Sequence, residues 1–149
     1  MGLFGFGAKK VSQKVEQMRA SAGKLESKDT VEAGIAVMVG VAFADKSCSD
    51  EEIEILENVI ESDDTFAEWR SETQAMTNKW IGKFQKFHRG AMMDLEKEFN
   101  DLKGDPAGQR RALLCGIAVA EDKDGIGAEE KAFLEKVAGW AGIRLDTLL

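Results

Sequence analysis

Val39-Gly40-Val41-Ala42-Phe43-Ala44-Asp45, near the start of the chain, is answered by Cys115-Gly116-Ile117-Ala118-Val119-Ala120-Glu121-Asp122 near its end. Each run passes through a short polar loop into a second acidic, amphipathic segment. In the first copy that segment is Asp50-Glu51-Glu52-Ile53-Glu54-Ile55-Leu56, and in the second Ala128-Glu129-Glu130-Lys131-Ala132-Phe133-Leu134. The repeated unit reads as helix, acidic loop, helix. Self-similarity of this kind marks a supersecondary unit used twice, and it predicts a single-domain, all-α helical bundle with two hairpins in a pseudo-two-fold repeat. Packing of the two Gly/Ala-rich first helices against each other would bring both acidic loops to one end of the bundle.

Outward from these copies the chain continues in helical register. One proline, no tyrosine and recurrent i, i+3, i+4 apolar spacing leave no convincing alternating strand. Asp29 or Thr30 is expected to cap the apolar helix that runs through Ala44. Ser49 with Glu52 three residues on is a capping box, which starts the next helix with two satisfied backbone donors. Asp63 and Asp64 are expected to cap an aromatic helical segment carrying Phe66, Trp69, Met76, Trp80, Ile81, Phe84 and Phe87, broken at Gly82 and Gly90. Lys103-Gly104 reads as a helix stop and Asp105-Pro106 as a restart, with an N-cap and a proline at the first helical position. The last helix is expected from about Ala128 to Ala141, with a short element from Leu145 beyond Gly142.

Composition bounds the function. The 149 residues, 44% hydrophobic and 32% charged, suit one ordinary globular domain. Charge is divided: residues 1–28 carry +4 and the rest −11. Residues 1–28 therefore read as a basic N-terminal arm and 29–149 as an acidic helical domain. Such a body repels nucleic acid, whose phosphates demand Lys and Arg, and suits cations instead. Cys48 and Cys115 have no Cys or His at metal-ligand spacing, so a zinc site is not expected and a reduced cytoplasmic compartment fits. The opening Met1-Gly2-Leu3-Phe4-Gly5-Phe6-Gly7 is too short and glycine-rich for a signal-peptide core, and Phe6 stands where a myristoylation motif needs Ser or Thr. The longest apolar run, Val31 to Ala44, is 14 residues and cannot cross a bilayer. Leu3, Phe4 and Phe6 ahead of the basic arm suit peripheral contact with an anionic membrane surface, or a frayed solvated terminus.

The chemistry-bearing candidates are the loop acids. Asp122 and Asp124 stand before Gly125, with Glu129 and Glu130 after it, an arrangement able to offer oxygen ligands to a hard divalent cation, calcium or magnesium. It is not an EF-hand, because Ile126 and Phe133 occupy the fifth and twelfth places, where oxygen ligands belong. The first loop offers Asp45, Asp50, Glu51 and Glu52. A purely structural reading stands beside this one: acids in a first helical turn are favoured by the macrodipole and by capping whatever the function. His88, the only histidine, has no nucleophile motif near it, and no catalytic signature is present, so an enzyme is not expected.

The two copies, with Gly40-Val41-Ala42-Phe43-Ala44-Asp45 leading to Asp50-Glu51-Glu52 and Gly116-Ile117-Ala118-Val119-Ala120 leading to Asp124-Gly125 and Glu129-Glu130-Lys131, resemble the tellurite-resistance TerB family. The chain is also similar to the TerB-type domain of some DnaJ-like co-chaperones, though it has no J domain. The resemblance implies a non-enzymatic stress-response protein, tied to tellurite resistance and phage defence, that is cytoplasmic or peripheral at the inner membrane. It also implies other proteins of a membrane-associated complex as partners, and a divalent-cation site at the paired loops, with calcium favoured. The family's loop acids map onto Asp45 with Glu51 or Glu52, and onto Asp122 or Asp124 with Glu129 or Glu130. Lys46 departs from the pattern by standing where the family has glycine. The alternative is a metal-independent protein-interaction scaffold.

Overall fold

The computed structural model describes residues 27–62, 64–121 and 126–149. Six α-helices and two 3-10 turns make up the described residues, with no strand among them. The helices are α1 (Lys28–Ala42), α2 (Asp50–Ser62), α3 (Arg70–Lys86), α4 (His88–Asp101), α5 (Pro106–Ala120) and α6 (Ala128–Trp140); the 3-10 turns span Asp64–Trp69 and Leu145–Thr147. The chain thus has the all-α bundle expected of it. The expected basic arm, apart from Ser27 and Lys28, lies outside the described residues, as do the residues proposed to touch a membrane. No helix among the described residues is long and apolar enough to cross a membrane.

The helix α1 is apolar on every side, and from Thr30 to Val41 only Glu32 is not buried. A helix of that kind must lie inside its bundle. It packs most extensively on α5 and also meets α2, α3, α4 and α6. Glycines set the closeness of the α1–α5 pair: Gly34 faces Cys115 and Ala112, and Gly116 faces Val37. Contacts advance together along both helices, so the pair runs in the same direction, as expected if the two first helices form the core. The second helices have different surroundings. The helix α2 packs on α1 and α3, whereas α6 lies against α1, α4 and α5.

Polar side chains tie the outer helices to this centre. The Trp80 indole N–H donates to Glu32 Oε2 at 3.0 Å, and Lys79 forms an ion pair with the same carboxylate. Lys83 Nζ donates to Asp94 Oδ2 at 2.7 Å, joining α3 to α4. Gln109, buried on α5, donates from Nε2 to the Phe99 carbonyl at 2.8 Å. Aromatic rings line the seam from the end of α1 into α4: Phe43 stacks on Phe84 at 6.0 Å, and Phe84 meets the His88 ring edge-on at 5.3 Å.

Helix boundaries follow local chemistry with three corrections. Ser27, not Asp29 or Thr30, caps α1, its Oγ accepting from the Thr30 N–H at 3.1 Å; the helix ends at Ala42. The aromatic segment begins as a 3-10 turn and breaks at Phe87, where φ is −157° and ψ 88°, while Gly82 and Gly90 stay inside helices. Phe87 is 63% exposed, unlike Phe66, Met76, Trp80, Ile81 and Phe84 of the same segment, which are buried. The other signals act as read. Asp105 Oδ1 accepts from the Gly108 N–H at 2.9 Å with Pro106 at the first helical position. After α6, Gly142 takes φ +68°; its N–H bonds Gly139 O, and the Ile143 N–H bonds Ala138 O, closing a Schellman motif.

Candidate functional site

The loop after α1 is built from its own polar atoms. Asp45 Oδ1 accepts from the Ser47 N–H at 3.1 Å, an Asx turn that reverses the chain at the helix end. The Lys46 N–H donates to the Phe43 carbonyl at 2.7 Å, and Lys46 itself sits at φ +69°, the left-handed region that favours glycine. Ser49 and Glu52 form the expected capping box: the Ser49 N–H donates to Glu52 Oε1, and the Glu52 N–H to Ser49 Oγ, each at 3.1 Å. Glu51 is exposed in the first turn of α2.

The second hairpin uses half of the same device. Gly127 has no side chain to cap α6, but its N–H donates to Glu130 Oε1 at 2.7 Å, and Glu130 is buried to 8% exposure. A Cβ at Gly127 would overlap that carboxylate, which is why glycine stands there. Glu129 is exposed. Asp122 and Asp124 lie outside the described residues. Among the described residues no group of three or more His, Cys, Asp or Glu side chains is arranged to hold a metal ion. Of the eight acids singled out, Asp45, Glu52 and Glu130 therefore hold backbone N–H groups in place, and Asp50, Glu51 and Glu129 are exposed.

A groove of about 430 Å³ lies between the loop after α1, the start of α4 and the first turns of α6. Lys46 enters it from the first loop, His88, Arg89 and Met92 from the start of α4, and Glu129, Phe133 and Lys136 from α6. Ala44 and Ala132 complete the lining. Among the described residues its lining is cationic, Lys46, Arg89 and Lys136 against the one carboxylate of Glu129, in a chain whose net charge is −7. Burial holds the His88 imidazole below its ordinary pKa, and repulsion from Lys46 and then Lys136 adds to the effect. The His88 Nδ1 is buried with no hydrogen-bond partner among the described residues.

Comparison with protein-family models, with curated proteins and with solved structures gives no significant match to this chain. The TerB resemblance accordingly rests on the two duplicated segments.

Sequence reading missed the groove. Its cations come from a loop, from α4 and from α6, at no spacing that a motif would flag. Lys46 alone stood out, as the residue in glycine's place. His88, read as an ordinary helix residue, is the group at which the aromatic seam meets the groove.

Proposed function

We propose that this chain is a non-enzymatic, TerB-like interaction domain of a stress-response assembly, acting as an adaptor for other proteins near the inner membrane without needing a bound cation. One observation carries the reading: the carboxylates of Asp45, Glu52 and Glu130 are already used by backbone N–H groups of their own loops. Acids so engaged set the entry of α2 and α6, a task that capping performs in any helical protein. The exposed Phe87 ring and the exposed Met93 on α4 offer apolar contact area to a partner. Pseudo-two-fold duplication supplies the framework, with the first helices as the centre and the second helices as the variable flanks.

A second reading keeps the divalent cation, calcium before magnesium. Glu129 lines the same groove as Lys46, the residue next to Asp45, so an acid-bearing turn of one hairpin lies close to the loop of the other. Asp122 and Asp124 would then complete the ligand set. Thermal melting of the metal-stripped protein separates the two. The adaptor reading predicts the same transition in chelator and in millimolar calcium, and the same again for a variant carrying Asp122→Asn, Asp124→Asn and Glu129→Gln. A calcium-dependent rise that this variant abolishes would favour the cation, because binding to the folded state alone stabilises it.

A further inference from the structure

Three observations meet at the groove beside His88. First, Lys46, Arg89 and Lys136 line one cavity, with Glu129 the one carboxylate among the described residues of its lining. Like charges gathered around a half-buried imidazole repel one another, and nothing in an acidic protein demands that they collect there. Second, Lys46 holds a left-handed backbone conformation that disfavours a residue with a Cβ, and such strain clusters at functional sites. Third, α4, whose first residues His88 and Arg89 line the groove, starts without a side-chain cap. Its first intrahelical N–H bond is from Ala91 to the Phe87 carbonyl, which leaves the N–H groups of His88, Arg89 and Gly90 as the unpaired donors of a 14-residue helix.

Cations, first-turn N–H groups and a partial positive helix end all favour an anion. The rest of the lining favours carbon. Met92 on α4 and Phe133 on α6, the latter only 6% exposed, line it with apolar surface, and the volume suits a compact molecule rather than a bare ion. We propose that this groove binds a small organic oxyanion, its carboxylate or phosphate held by Lys46, Arg89 and Lys136 and its apolar body set against Met92 and Phe133. The groove shares Glu129 with the alternative cation reading, so the ligand titrations are run in chelator.

The test titrates the full chain with benzoate and with phenyl phosphate, read by amide chemical shifts and by calorimetry. Saturable shifts at Lys46, Arg89, Gly90 and Lys136 are expected with at least one of the two, and the tighter of them identifies the head group. Losing one charge-assisted contact should weaken that binding about tenfold in Arg89→Gln and in Lys136→Gln. Lys97→Gln, which removes the same charge from an exposed position of α4 outside the groove, should change it less than about twofold. Inorganic phosphate binding as tightly as phenyl phosphate would overturn the apolar half of the proposal. Absence of saturation at millimolar ligand, or equal losses in all three variants, would overturn the site itself.

Discussion

Gly40 lies against the tip of the Phe133 ring, so close that a Cβ added to the glycine would overlap two of the ring carbons, Cζ and Cε1. This contact joins the first helix of one hairpin to the second helix of the other. Gly40→Ala should therefore destabilise the fold by about 1–3 kcal/mol, the usual cost of overpacking. Gly82 on α3 has nothing within 4 Å of where its Cβ would stand. Gly82→Ala should stabilise by about 0.5–1 kcal/mol, since there only helix propensity is at stake. Denaturant melts of the two variants check the opposite signs.

Lys46→Gly should raise stability modestly, by about 0.5 kcal/mol, as relief of the left-handed strain outweighs the extra freedom glycine has when unfolded. It also removes a like charge from beside Lys136 and His88. Lys46→Ala makes the comparison decisive. It loses the charge and keeps the strain, so its midpoint should fall below that of Lys46→Gly.

The caps are separable from ligand chemistry by isosteric substitution. Glu130→Ala leaves the Gly127 N–H without its acceptor and should cost about 1–2 kcal/mol. Glu130→Gln retains an amide oxygen at that place and should cost less than half as much. Equal losses in the two variants would mean that the charge, not the hydrogen bond, is what α6 requires.

Acidification should weaken the fold through His88. Its folded pKa lies below the ordinary 6.5, through burial first and then the charges of Lys46 and Lys136, while Arg89 and Glu129 complete its charged surroundings in the groove. The unfolded chain therefore takes up the proton more readily than the folded one. This contribution is whole above pH 6.5 and is lost as pH falls from there toward the folded value. Melting temperatures of wild type and His88→Gln should run parallel above that point. Below it the wild type should lose stability faster.

The helices and most of their ends were legible because each signal is local. Asp105-Pro106 needs only its own neighbours to act as a start, and the Ser49–Glu52 pair closes across a single turn. The break at Phe87 was not legible. Gly82 and Gly90 looked like the weak points, yet a glycine inside a helix costs only about 1 kcal/mol and tertiary packing overrides it. The site was half legible for the same reason. Acid-rich turns show in sequence, but the work of Asp45, Glu52 and Glu130 in holding backbone N–H groups is a matter of geometry. The groove is assembled from residues some 40 positions apart, Lys46, Arg89 and Lys136, and no one-dimensional spacing contains it.

Calorimetric titration of the metal-stripped full chain with calcium tests the central claim, that the acids of the hairpin loops serve the fold rather than a cation. The account predicts no saturable heat at physiological salt up to millimolar calcium. Saturable micromolar binding, lost on substituting Asp122, Asp124 and Glu129 together, would contradict it.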